Sequence, residues 1–171
     1  ENKKVNRALA GAALAMGAGV KLCDRPGYSP EIHDPAFMKL VEQCCGQLVG
    51  PERVDFDYEE WSTGSSDFGD VTCVMPGVQF SASGSQGTAH GIDYYVADPE
   101  RMCVNSVKAQ LFVTDALLSN DGAAAKEIIA GYKPQYPSIK AYFEAIDDFI
   151  LDKDAVTYDE NGNATVDFQN N

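Results

Sequence analysis

Apolar residues recur at helical spacing in several segments of the chain. Around residues 34–50, Asp34-Pro35 forms a helix start, an apolar stripe follows, and Gly50-Pro51 ends it. Comparable patterns predict further helices near 4–17, from Asp98-Pro99 to about 120, from 121 to 131 and over 138–151. A Ser66-Asp67-Phe68 cap predicts a short helical turn that must end by Pro76.

Shorter apolar segments have the character of strands. They lie at 20–23, 53–56 and 77–83, and Asn161-Gly162 predicts a hairpin over 156–166. Because helices and short strands alternate along the chain, we expect an α/β fold. The run from Arg25 to Pro30 is rich in turn residues and marks a candidate domain boundary.

Composition and charge narrow the possible partners. The 171 residues suit one domain, or one domain with a fragment of another, and 44% of them are apolar. Only 13 basic residues oppose 26 acidic ones, which gives a net charge of −13. That charge repels phosphate backbones, so we expect no nucleic-acid partner, although an acidic surface is also ordinary for an enzyme.

Cysteine usage and the absence of long apolar runs bear on location. The five cysteines are odd in number and form no C-x-x-C pair, so we expect reduced, buried thiols and a cytoplasmic protein. No apolar run is long enough for a membrane span, and no signal peptide is visible. The chain starts on a predicted helix with Glu1 and without a methionine, so we expect a fragment of a longer chain.

The segment from 65 to 100 carries the candidate chemistry. The apolar run 78–80 leads into a loop with glycines at 84, 87 and 91 and a single histidine, His90. Such loops follow the carboxyl ends of strands in open α/β sheets, where active sites tend to lie. A histidine alone in a loop is more often a surface residue, but neutral imidazole is also a natural ligand for a first-row metal ion.

This series of motifs, together with Gly27-Tyr28-Ser29-Pro30, resembles the C-terminal part of dinuclear-metal amidohydrolases and peptidases of the aminoacylase and carboxypeptidase type, above all the aminobenzoyl-glutamate hydrolase branch. The resemblance implies a remnant of the lid (dimerisation) domain in 1–27 and the C-terminal half of a zinc-peptidase-like catalytic domain in 28–171. It also implies that His90 is a ligand of zinc or manganese, supported by a loop with Asp67, Gly87 and Gly91. A plain helix N-cap is an equally good interpretation of Asp67.

Other ligands of such a centre are missing from the sequence. There is no H-x-D pair, and Ser66 stands where the family commonly has Glu. Glu59-Glu60 follows the lid segment instead of preceding it, so we interpret it as a solvated charge pair, and His33 as a surface residue. We therefore expect no catalytic residue in this chain and no activity of the chain alone.

Two functional hypotheses remain open. The intact enzyme would use metal-activated water to cleave amides of N-acyl amino acids or aminobenzoyl-glutamate-like substrates. Alternatively, the chain is a truncated, non-catalytic interaction or structural module. In either case the first helix and strand would lack the other strands of a lid sheet, so we expect them to be loosely held or to pair with a second copy in a homodimer.

Overall fold

A computed structural model describes residues 1–56, 58 and 66–167. They divide into two compact units: unit 1 comprises Glu1–Gly27 and Ser138–Asn171, and unit 2 comprises Tyr28–Pro137. The helices are α1 (Asn2–Met16), α2 (Pro35–Val49), α3 (Phe68–Thr72), α4 (Asn105–Gly131) and α5 (Ile139–Asp147). The strands are β1 (Val20–Asp24), β2 (Ser85–Gln86), β3 (Tyr95–Val96), β4 (Leu151–Tyr158) and β5 (Ala164–Val166).

Unit 1 is built on a three-stranded antiparallel sheet in the order β1-β4-β5. Leu22 on β1 lies opposite Lys153 on β4, and Val156 on β4 lies opposite Val166 on β5. Buried Leu22 and Val156 form a small core with Ala10 of α1. The expectation that the first helix and strand lack partners within the chain is therefore wrong, because β4 pairs along β1.

Polar contacts tie α1 to the end of β1. Asn6 is almost fully buried, and its amide donates a 2.5 Å hydrogen bond to the Asp24 carboxylate, which also accepts one from Asn2 at 2.7 Å. A buried amide without such a partner is costly, so this bond fixes how α1 lies on the sheet.

Unit 2 is organised around the packing of α2 against α4. Val41 and Cys44 of α2 and Val113 of α4 form the buried cluster. Val78 and Phe80, from the segment before β2, pack against the same cluster. The interior of this unit is thus made by two helices and a segment of irregular backbone.

The region around α3 is held by hydrogen bonds to backbone groups. The Asp70 carboxylate accepts from the backbone N–H of Ser29 at 2.8 Å. The hydroxyl of Tyr132, which follows α4, donates to the carbonyl of Thr72 at 2.6 Å. Burial raises the pKa of the Tyr132 phenol, so this hydroxyl stays a donor at neutral pH.

Most of the predicted helices are confirmed. The Asp34 side chain caps α2 by accepting from the N–H of Phe37 at 2.8 Å. The predicted boundary near residue 120 coincides with non-helical backbone at Ser119–Gly122, which interrupts α4. The helix predicted over 138–151 ends earlier, at Asp147, since β4 begins at Leu151.

Two predicted strands are wrong, whereas the C-terminal hairpin of β4 and β5 is confirmed. Arg53 is the last residue of a 3-10 turn at Pro51–Arg53, residues 54–56 have no regular structure, and residues 77–83 form no strand. In the second segment, Val78 and Phe80 do face the interior, as the alternation requires, but they pack on helices and no neighbouring strand pairs with them.

The chain therefore combines helices and strands, as expected, in a mixed α and β fold. Every strand pair in the described part of the chain is antiparallel. Among the helices within these residues, none has the length and apolar character needed to cross a membrane.

The first prediction concerns the cap of α2. Replacing Asp34 by Ala removes the hydrogen bond to the Phe37 N–H and should lower the free energy of unfolding by about 1 kcal/mol. Asp67→Ala is the matched control, because Asp67 holds the same position before α3 but its side chain makes no capping bond. Urea denaturation followed by circular dichroism measures both; an equal loss in the two variants would contradict the assignment.

Candidate functional site

His90 lies at the tip of the loop between β2 and β3. A tight turn closes there through a 2.7 Å hydrogen bond from the Gly91 N–H to the Thr88 carbonyl. His90 is exposed and has a φ of 64°, a left-handed conformation that is unfavourable for a residue with a side chain. The strand before this loop is β2 of an antiparallel hairpin, at Ser85–Gln86, and not the predicted strand at residues 77–83.

The two glycines beside His90 are required by the geometry of this loop. Gly87 has a φ of 94°, and a Cβ there would collide with the carbonyl of Asp93. A Cβ on Gly91 would meet the Asp93 carboxylate. That carboxylate in turn accepts from the backbone N–H of Thr88 at 3.1 Å, so the loop closes tightly on Asp93 and holds the histidine outward.

Asp67 stands at the N-cap position of α3, although Ser66 supplies the side-chain bond there by accepting from the Phe68 N–H at 3.2 Å. Asp67 also lines a cavity of about 300 Å³ with Phe68, Phe80 and other residues. His90 is not part of that lining. This cavity therefore does not bring Asp67 and His90 together.

A polar cluster that sequence reasoning missed surrounds Glu31. The Ser66 hydroxyl donates to its carboxylate at 2.5 Å, and the His33 Nε2 lies 3.4 Å from it. With its amide turned so that nitrogen faces the acid, Gln79 lies 3.0 and 2.9 Å from the two carboxylate oxygens. His33 is half-buried, so its interpretation as a surface residue is wrong.

The chemistry open to this cluster is limited by the direction of its hydrogen bonds. Ser66 is bonded to the carboxylate of Glu31, whereas an activated serine needs a base such as imidazole to take its proton. The cluster instead joins three segments of irregular backbone, at 31–33, 66 and 79. We interpret it as a structural crosslink.

The larger cavity, of about 700 Å³, lies within unit 2 and has two arginines in its wall. Arg53 comes from the turn after α2, and Arg101 from the π-helical segment Glu100–Val104 that leads into α4. Each forms an ion pair through its Nε, at 3.7 Å to Glu52 and 3.2 Å to Asp98. The terminal nitrogens of both guanidinium groups carry further N–H donors that suit an anion.

The rest of the cavity combines apolar and hydroxyl-bearing side chains with the carboxylate of Asp55 and the amide of Asn105. Leu48, Phe56 and Phe80 are among its apolar residues, and several serines, including Ser83, add hydroxyl groups. Cys45 also lines it, but burial, and secondarily the neighbouring Cys44, raise the pKa of its thiol. The thiol is therefore protonated at neutral pH and a poor nucleophile. The wall suits a small anionic molecule with an apolar part.

Neither metal-ligand geometry nor comparison with known proteins identifies the function of this site. Within residues 1–56, 58 and 66–167, no three histidine, cysteine or acidic side chains come together as metal ligands would. The pair Glu59-Glu60 lies outside the described residues. No family model matches the chain, and no match was found among curated proteins or solved structures.

The second prediction separates strain from packing at His90. Glycine adopts a positive φ without penalty, so His90→Gly should leave the free energy of unfolding unchanged or raise it by up to about 1 kcal/mol. His90→Val should lower it by at least about 1 kcal/mol, because a β-branched residue tolerates this backbone poorly. Chemical denaturation of both variants is the measurement. A clear loss of stability in the glycine variant would mean that the imidazole itself holds the loop together.

Proposed function

We propose that the chain is the C-terminal part of a metal-dependent amidohydrolase acting on N-acyl amino acids or aminobenzoyl-glutamate-like molecules. The observation that carries the proposal is the exposed His90 ring, held at a φ of 64° in a loop that requires glycine at 87. A histidine kept in an unfavourable conformation at a loop tip contributes nothing evident to stability, which favours a functional role.

In this proposal His90 would hold one divalent ion, zinc or manganese, through a ring nitrogen. Neutral imidazole fits either ion, and when bound such an ion lowers the pKa of a coordinated water. A centre of this kind needs at least two more ligands, and His90 has no partners for such a set among the described residues. The other ligands, and the glutamate that transfers the proton, would come from a segment outside this chain.

The finer assignment of domains belongs to the same proposal. Residues 28–171 would be the C-terminal half of the catalytic domain, and 1–27 the remnant of the lid. Residues 138–171 group with 1–27 in one compact unit, so the C-terminal segment of the catalytic domain would pack on the remnant of the lid. The five cysteines are all free thiols, which supports a reducing, cytoplasmic location.

The larger cavity supports the class of substrate. N-acyl amino acids carry a free carboxylate and an apolar or aromatic acyl group. Arg53 and Arg101 offer donors for the carboxylate, while Phe56 and Phe80 offer an apolar surface for the acyl group. Among the described residues, Asp55 is the one carboxylate in this lining, so the two arginines outnumber it there, and their terminal nitrogens are the donors left for an anion.

A non-catalytic interaction module is the second candidate, and a different observation favours it. Several large apolar side chains are exposed along α4 of unit 2, among them Val107, Leu111 and Leu118. Extended exposed apolar surface is typical of a protein that binds a partner.

The third prediction tests the chain for activity. Purified chain with zinc or manganese should not hydrolyse a panel of N-acyl amino acids, because it lacks the H-x-D and acid-pair ligands. The same metals with an authentic aminoacylase provide the positive control. Metal-dependent turnover that co-purifies with the chain and disappears in His90→Ala would show that the chain holds a complete site.

The fourth prediction tests the cavity independently of catalysis. N-Benzoylglycine should bind more tightly than its uncharged amide by calorimetry, because the arginines recognise the carboxylate. Arg101→Gln should weaken binding of the acid roughly fivefold, about 1 kcal/mol, since the guanidinium is largely exposed and screened. Lys126→Gln, which removes an exposed cation of α4 outside the cavity lining, is the control. Equal binding of acid and amide would contradict the proposed ligand class.

A further inference from the structure

We propose that the exposed face of α4 binds a second copy of this chain, with the two helices antiparallel. The face consists of Val107, Leu111 and Leu118 of α4, which are 57%, 62% and 67% exposed, together with Val104, the last residue of the π-helical segment before α4, which is 44% exposed; we call it the α4 stripe. This inference goes beyond the proposed enzymatic function and does not depend on it.

The α4 stripe lies on the side of the helix opposite the core of unit 2. Ala109 and Val113 are the buried residues in this part of α4. At about 100° per residue, Leu111 and Val113 point some 160° apart. The helix is therefore apolar on two opposite faces, and α2 covers only one of them. A helix of this kind is normally buried on both sides.

The spacing of the α4 stripe is that of helices which pair with each other. Val104, Leu111 and Leu118 are seven residues apart, and Val107 follows Val104 by three, as at the a and d positions of a heptad. Thr114 occupies the next d position. Its hydroxyl donates to the Gln110 carbonyl at 2.7 Å, so its polar atom is satisfied within the helix and its methyl group can pack.

Charges beside the α4 stripe select the antiparallel orientation. Lys108 and Asp115 both follow a d position, so they lie on the same flank. In an antiparallel pair that sets Leu111 against Thr114 of the second copy, Lys108 lies about 3 Å along the axis from the second copy's Asp115, within reach of a lysine side chain. The two-fold axis makes this contact twice.

A parallel pair lacks this complementarity. It would set Lys108 against residue 103 and Asp115 against residue 110 of the second copy, and these are Cys103 and Gln110. In the antiparallel register Val107 lies opposite Leu118 and Leu111 opposite Thr114 of the second copy, while Val104 lies beyond these layers; a parallel pair sets each residue of the α4 stripe against itself. The two charges favour the antiparallel orientation. A second copy of the same helix supplies an Asp115 for Lys108 and a Lys108 for Asp115, so the partner that fits this surface is another copy of the chain.

Sedimentation equilibrium of the whole chain tests the surface. We expect a monomer–dimer equilibrium for the unaltered chain, and Leu111→Asp should shift it to monomer, because it places a charge at the centre of the pairing. Ile129→Asp is the matched control: Ile129 is 65% exposed on α4 but lies beyond the interruption at Ser119–Gly122. Circular dichroism checks that both variants keep the helix content of the unaltered chain.

Charge exchange tests the orientation. Lys108→Glu or Asp115→Lys alone should weaken dimerisation at least threefold, because each creates two like-charge contacts. The double variant Lys108→Glu/Asp115→Lys should restore the original dissociation constant, and high salt should reduce all these differences.

Several results would overturn the proposal. If the chain stays monomeric at millimolar concentration, the α4 stripe does not bind a second copy. A dimer that survives Leu111→Asp uses a different surface. A double variant no better than the single ones rules out the antiparallel register.

Discussion

The contact between α2 and α4 is the constraint on which unit 2 depends. Val41 is completely buried in it, and the segment that carries Val78 and Phe80 is fixed by packing onto the same cluster. The contact also positions the larger cavity, because Arg53 follows the end of α2 and Arg101 precedes the start of α4. Loss of this helix pair would therefore remove both the core and the wall that carries the two arginines.

Elements with local signals could be predicted from the sequence. Asp34-Pro35 carries its own cap and a favourable first residue, and Asn161-Gly162 supplies the turn of the last hairpin, so both need no distant partner. The segment 77–83 shows where this reasoning fails. Its alternation correctly indicates that Val78 and Phe80 point inward, but a strand also needs a neighbour, and helices occupy the buried side.

In the candidate site, too, local features could be predicted from the sequence, whereas contacts between distant residues could not. Composition indicates that the glycines around His90 form a tight loop, whereas the hairpin that carries the loop depends on pairing between β2 and β3. The arginines of the cavity belong to no motif and are brought together only by the fold. The same is true of the cluster at Glu31, where Ser66 is 35 residues away in the chain. Neither arrangement has a sequence signal that could have revealed it.

The pairing of β1 with β4 has a consequence for the order of folding. About 130 residues separate the two strands, so unit 1 cannot complete its sheet until the ribosome has produced β4. Unit 2 is continuous and can reach its native contacts first, whereas β1 must wait with both edges unpaired. During synthesis the strand is thus open to wrong pairings. Charged side chains on a strand discourage such pairing. Before Asp24, β1 has only one of them, Lys21, since its other exposed residue is Cys23.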